Sequence, residues 1–561
     1  MTRAIFLAAL LLLSGVVASH AATITIVNMD AGGEGFNDTT PAAPVGGNPG
    51  VTVGQQRLNV FQFAADIWGA LLPSAVTIRV QAQFNPQTCT MTSAVLGSAG
   101  PIEAYQNFPN APVANTWYHV ALANKLAGAD LNAGANDINA TFNSNLNGNP
   151  SCLGGTLWYY GYDGNEGANI ELLPVVLHEL GHGLGFSTFV SSAGAQLLGI
   201  PDLFETFIRD NTTGLNWHQM TNAQRAASAI NTGNVVWSGP VATALSDNFL
   251  SFETIMMVNS PVPPLPATIA VGPAAFGPSL TVGGLTGDIV LADDGTPPNS
   301  DACTPIINGV SGKIVLIDRG TCTFTSKAQQ AEAAGAIAVI IANNVAGSVP
   351  PPLGGTDPGL TIPTVSITQA DGNAIKAQLG GGVNVTLKLN PPQLAGTDGS
   401  NRVKLYAPNP YEGGSSISHW DVSAFPNILM EPAINNNLSS DVDLTLAHFD
   451  DLGWTDIITG VADGSLPRLS NLAVLANYPN PFNPGTSIRY SVPDAQKVRV
   501  DVYDVEGRLV RSLVDRIEPV GVREVAWEGM DNDGRPVSSG IYFVRLSGKN
   551  QVATRKIVLI R

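Results

Sequence analysis

Three textures of hydrophobic and polar residues follow one another along the 561-residue chain. Between Thr23 and Pro261, strand-like and helix-like patches alternate. "TITIVN" leads to "QQRLNVFQFAADIWGALL", whose apolar residues recur at helical spacing and predict an amphipathic helix. "AVTIRVQAQF" follows with period-two alternation, which predicts a half-buried strand. The prolines of "SPVPPLP" (Ser260 to Pro266) punctuate this mixed α/β segment. From Ala267 to Pro391 the pattern becomes Gly-rich β patches, with "GKIVLIDRGTCTF", a helical "TSKAQQAEAAGA" and the buried-strand run "IAVIIANN". "SSISHWDVSAFPNILMEPAI" and "DLTLAHFDDLGW" then return to the first texture, so the middle segment reads as an insertion into another domain. Between Asn471 and Arg561, short alternating strands separated by Gly, Asp and Asn turns predict a β-sandwich. "DNDG" (Asp531 to Gly534) reads there as a turn, because it lacks the remaining spacing of a calcium loop.

These textures divide the chain into a core in two parts, 22–262 and 396–457, an inserted domain over 263–395, a linker over 458–470 and a C-terminal sandwich over 471–561. Residues 1–21 combine a basic start at Arg3, a short apolar run and small residues near Ala21, the pattern of a cleaved signal peptide. No later run reaches the ~20 apolar residues of a membrane span, so a secreted or cell-surface protein without a transmembrane segment is expected. The four cysteines fit that compartment. Proximity in sequence pairs Cys303 with Cys322 and leaves Cys89 for Cys152. A formal net charge of −17 with no dense Lys/Arg stripe excludes nucleic acid as a partner class.

The chemistry concentrates in "ELLPVVLHELGHGLGFST", Glu171 to Thr188. Residues four apart share a helix face, so His178 and His182 can offer imidazole nitrogens to one Zn2+ ion. Glu179 stands beside the ion's open position, where it can act as general base and then general acid toward a metal-activated water. Gly185 permits a backbone reversal that ends the helix. A third ligand is needed, and Thr188 offers only a hydroxyl. The candidates are His119, at a helix start; His218, before a helix cap; His448, on a late amphipathic helix; the downstream acid Glu205; and His419 in "SHWD".

"HELGHGLGF" together with "SHWD" and "LMEPAI" resembles the leishmanolysin-type metzincin zinc peptidases. In that family the third histidine lies far downstream in a Ser-His-Trp context and is followed by a methionine turn beneath the metal. The resemblance implies a metzincin-like α/β (α+β) core with His419 as third ligand and Met430, eleven residues later, supporting the site. His419 stands 237 residues after His182, much farther than in relatives lacking an insertion. Trp420 and Asp421 are candidates to orient its ring.

Other motifs characterise the remaining modules. Asp318-Arg319-Gly320 with the cysteine that follows, "KAQQAEAAGAIAVIIANN" and "IPTVSIT" resemble an α/β protease-associated (PA) domain. "YPNPFNP" and "GIYFVRL" resemble the all-β immunoglobulin-like C-terminal modules of exported bacterial proteins, related to those of flagellar hook-cap proteins and type IX secretion cargo. Such a module implies export machinery or a cell-surface anchor as partner. Together these features lead to the expectation of an exported zinc endopeptidase acting on polypeptides. Two rivals stand beside it: a zinc peptidase with a glutamate as third ligand, and a non-catalytic surface adhesin carrying a relic zinc site.

Overall fold

The computed structural model describes residues 21–347, 349–355, 357, 359–433, 442–455, 472–478, 485–492, 496–505, 507–518, 521–549 and 552–559. The signal peptide expected over 1–21, all but its last residue, and the linker expected over 458–470 lie outside the described residues. Among the described residues no helix is long and apolar enough to cross a membrane.

The N-terminal part opens with strand β1 (Ile24–Asn28) and helix α1 (Val53–Leu71), followed by strands β2 (Ile78–Asn85) and β3 (Gly97–Pro101). Helix α2 (Val120–Ala127), strand β4 (Ile138–Asn143) and helix α3 (Leu172–Leu184) follow, and short helices and strands continue it to Leu245. Thr52 starts α1 because its side chain accepts from the Gln55 N–H, which satisfies one of the free amides of the first turn. The face carrying Val60, Phe61, Ala64 and Trp68 is buried. On β2, Ile78, Val80, Ala82 and Phe84 point inward in strict alternation, as the period-two pattern requires. The sheet order is β1-β2-β4-β3, parallel except for β3, which runs antiparallel to β4 at the edge.

One hydrophobic core contains residues from Ala22 to Leu250 and again from Leu394 to Trp454, so the two distant stretches of chain pack together. All thirteen residues of α3 are buried. A helix that is apolar nearly all round must be covered on every side, and α1, the sheet and the stretches 415–433 and 442–454 supply the cover. Trp68 Nε1 donates to Leu177 O at 3.1 Å, and the Trp68 ring meets Phe449 edge-on at 5.1 Å. Trp454 Nε1 donates to Leu184 O at 2.9 Å and satisfies a carbonyl left open at the helix end.

The middle segment folds around a different sheet. Strands β5 (Phe252–Ser260) and β10 (Asn384–Leu394) pair antiparallel and connect it to the core. Between them run β6 (Leu285–Leu291), β7 (Ile314–Asp318), β8 (Ala338–Ala342) and β9 (Thr364–Ile367). β6 to β9 are parallel to one another, β6 pairs antiparallel with β10, and short strands at Thr268–Ala270 and Gly272–Pro273 close the two edges. Every residue of β8 is buried because helices cover both faces, Phe324–Ala333 on one and Gln369–Gln378 on the other. The helix and strand expected from "KAQQAEAAGAIAVIIANN" are therefore present.

The C-terminal part has two antiparallel sheets, one of three and one of four strands, enclosing Ile488, Tyr490, Val500, Val544 and Trp527. Asp531 to Gly534 forms a turn, with the Asp531 N–H bonded to Arg535 O at 2.9 Å. Both expected disulfides are formed, Cys89–Cys152 and Cys303–Cys322.

Candidate metal centre

Helix α3 carries His178 and His182 one turn apart, and their Nε2 atoms lie 3.1 Å from each other. His419, from a segment held against α3 by the core, brings its Nε2 to 3.1 Å from that of His178 and 3.3 Å from that of His182. Each ring's other nitrogen is fixed by a backbone carbonyl, which can only accept. His178 Nδ1 donates to Leu429 O at 2.7 Å, His182 Nδ1 to Phe186 O at 2.8 Å, and His419 Nδ1 to Ser415 O at 2.8 Å.

That tautomer leaves three unprotonated Nε2 lone pairs converging, with no proton available to link them. The arrangement is repulsive unless a cation sits at the centre. Nitrogens ~2.0–2.1 Å from a tetrahedral Zn2+ stand about 3.3–3.4 Å apart, close to the separations found here. The donor set fits Zn2+ with a fourth position open, and the carbonyl acceptors supply the outer support such ligands normally have. No other group of three His, Cys, Asp or Glu residues among the described residues could hold a metal ion. Burial, the largest cause, pushes His178 down to about 3 and His182 to about 4, and holds His419 well below its ordinary value, which keeps all three neutral.

Two glycines shape this helix. At Gly181 a β-carbon would stand 2.8 Å from Met430 Sδ, so the absence of a side chain lets the fully buried methionine pack directly under the turn that carries His182. Gly185 has φ +139°, a conformation costly for other residues. The Gly185 N–H and then the Phe186 N–H both return to Gly181 O, at 3.2 and 3.0 Å, closing the helix and placing Phe186 O where His182 needs it.

Glu179 lies beside the triad. Burial raises it to about 8, an effect that the backbone N–H of Ala99 on β3 opposes. A divalent cation at the triad would favour the carboxylate again.

The other sequence candidates take different places. His119 begins α2 and bonds Ser187 Oγ through Nε2 at 2.8 Å, stacked 4.6 Å from Phe189. His218 is exposed on a short helical turn. His448 is buried among Phe186, Trp237, Phe204 and Trp420. Glu205 is bonded by Gln196 Nε2 and sits beside Asp202, apart from the histidines. The expectation that Trp420 and Asp421 orient His419 is corrected: Ser415 O does so, while Asp421 accepts from Ser423. Sequence reasoning also missed Asp202, whose buried carboxylate accepts from Thr188 Oγ1 at 2.7 Å and from the Phe189 N–H at 2.6 Å. Thr188, standing where many metzincins have their third ligand, is thus turned to a carboxylate.

Comparison with known proteins bears on the two outer modules. Residues 285–375 match the PA domain family, and residues 485–551 match the FlgD Ig-like domain family. The chain is 41% identical over 106 residues to leucine aminopeptidase 2 of Arthroderma otae, covering 19% of this chain and 20% of that protein. It is 36% identical over 132 residues to aminopeptidase YwaD of Bacillus subtilis, covering 22% and 26%. Among solved structures, BSAP, a zinc aminopeptidase from Bacillus subtilis, is 30% identical over 27% of this chain and 35% of that one, with a TM-score of 0.19. The chain thus spans about a fifth to a quarter of the length of these curated relatives. The molecule is a multidomain protein with an α/β core, a PA domain and a C-terminal Ig-like β domain.

Proposed function

We propose that this chain is an exported zinc-dependent endopeptidase of metzincin type. In this reading a core of 22–262 and 396–457 is interrupted by the PA-containing insertion 263–395 and followed by a sorting or anchoring module over 471–561. The observation that carries it is the convergence of three Nε2 atoms from His178, His182 and His419, each ring held by a carbonyl, with Glu179 alongside. A structural zinc site has no need of that glutamate.

Bound at the triad, Zn2+ would polarise a substrate carbonyl and bring the pKa of a water toward 7. Glu179 would take the proton of an attacking water and pass it to the leaving amine. Met430 provides a polarizable apolar floor. Strand β3 is the sheet edge against which Glu179 packs at Gly97, so an extended substrate can add to it as a further strand beside the catalytic carboxyl. The placement of Glu205 beside Asp202 disfavours the glutamate-ligand alternative, and the retained Glu179 disfavours the adhesin.

The relatives named as aminopeptidases make the position of cleavage the point to test. Fragments of an unfolded protein incubated with the zinc-loaded chain should carry new internal termini. Release of N-terminal residues alone would replace the endopeptidase by an aminopeptidase.

A further inference from the structure

A cavity of about 180 Å³ lies where the core meets the inserted domain. Its floor is the segment Asp421 to Phe425, directly after His419, and one wall is the start of β5 at Phe252 and Glu253. The stretch from Ala270 to Pro273, belonging to the inserted domain, forms the roof. The cavity is smaller than the roughly 300–1,000 Å³ of drug-sized sites. At about 30 Å³ per water it equals some six waters, the scale of one amino acid.

Its charges are mixed. Lys404 lines it, and its ammonium makes no hydrogen bond or ion pair with a described residue. Glu253 and Asp421 line it as well. Glu253 uses one oxygen to accept from Asn390 Nδ2 at 3.2 Å, and Asp421 uses Oδ1 for Ser423, so each keeps accepting capacity. Phe252, Phe425 and Val271 add apolar surface. A cation and two carboxylates around an apolar wall complement a zwitterion with a hydrophobic side chain, since each charged end meets its opposite.

We propose that this cavity binds an amino-acid-like ligand, its carboxylate on Lys404, its nitrogen, an ammonium or a peptide N–H, toward Glu253 and Asp421, and its side chain against Phe252, Phe425 and Val271. The ligand is a free apolar amino acid or the C-terminal residue of a peptide, which share the carboxylate and the side chain. Occupancy would tie the inserted domain, through Val271, to Lys404 and Asp421 beside the segment that carries His419, where the Asp421 N–H bonds Lys404 O and the Tyr406 N–H bonds His419 O, at 3.0 and 2.9 Å. The site does not depend on the peptidase reading, and its test reads binding.

The test is calorimetric titration of the zinc-loaded chain with L-leucine, N-acetyl-L-leucine and L-leucinamide, repeated on Lys404→Gln and Glu253→Gln. Leucine should bind and leucinamide should not. Lys404→Gln should weaken leucine roughly tenfold, on the strength of a charge-assisted contact, with zinc content and melting temperature unchanged. That insensitivity of zinc content separates the cavity from the metal centre. Binding of N-acetyl-leucine, unaffected by Glu253→Gln, identifies a peptide terminus as the ligand; binding of leucine alone, weakened by Glu253→Gln, identifies a free amino acid. Equal binding of leucinamide, no leucine binding, or leucine binding indifferent to Lys404→Gln would overturn the proposal.

Discussion

The backbone N–H of Thr188 donates to Ser418 Oγ across 3.4 Å, joining residues 230 apart in the chain. Thr188, three residues after Gly185, therefore holds Ser418, the neighbour of His419. Its own side chain is committed to Asp202. A His419→Ala/Thr188→His double variant should accordingly bind zinc no better than His419→Ala alone. Metal analysis after dialysis against a weak chelator decides this; recovered stoichiometric zinc would mean that position 188 can reach the ion.

Asp202 should matter through the turn it secures. Asp202→Ala leaves the Phe189 N–H, the Thr188 hydroxyl and the Glu205 N–H without their acceptor, at a cost of about 3–6 kcal/mol for three bonds to a buried carboxylate. Denaturant unfolding should show this loss, and Thr188→Val, which removes only the hydroxyl, should lose less.

The methionine beneath the zinc helix yields a packing test. Gly181→Ala places a methyl group where Met430 Sδ now lies, and overpacking of this kind costs about 1–3 kcal/mol. Combining it with Met430→Ala should recover part of that loss. Strictly additive losses would show that the two positions do not meet.

His448 gives a pH dependence of known sign. Burial among aromatic rings holds it well below its ordinary value, and neither ring nitrogen meets a hydrogen-bond partner among the described residues. The unfolded chain takes up a proton below about pH 6.5 that the folded chain refuses, so this group's contribution to stability falls as pH drops through that value, by at most about 1.4 kcal/mol per unit. Above it the effect vanishes. His448→Phe should therefore gain on the native chain as the pH falls from 6.5 to 5.5. Parallel stability curves would contradict this.

Local signals made part of this architecture readable. The spacing of His178, Glu179 and His182 defines one face of a helix, Gly185 marks its end, and the buried run of β8 announces a covered sheet. What stayed hidden acts over long separations or through the backbone. Ser415 O, the acceptor that orients His419, belongs to no distinctive side chain, so the adjacent Asp421 was the more visible candidate. Asp202 resembles an ordinary helix cap, which it also is, with Oδ1 accepting from the Glu205 N–H. Only the folded chain shows its second oxygen securing the turn after the zinc helix. Trp454, 270 residues from the carbonyl it caps, carries no local sign of that role.

In the proposed reaction Glu179 drives peptide hydrolysis at the histidine triad. The most direct measurement is hydrolysis of unfolded casein by the mature chain beside a Glu179→Ala variant carrying the same zinc. Cleavage by the native chain, reduced about 10²–10⁴-fold or more in the variant, is the predicted result. Equal cleavage by both, or none by either with zinc bound and the fold intact, would contradict it.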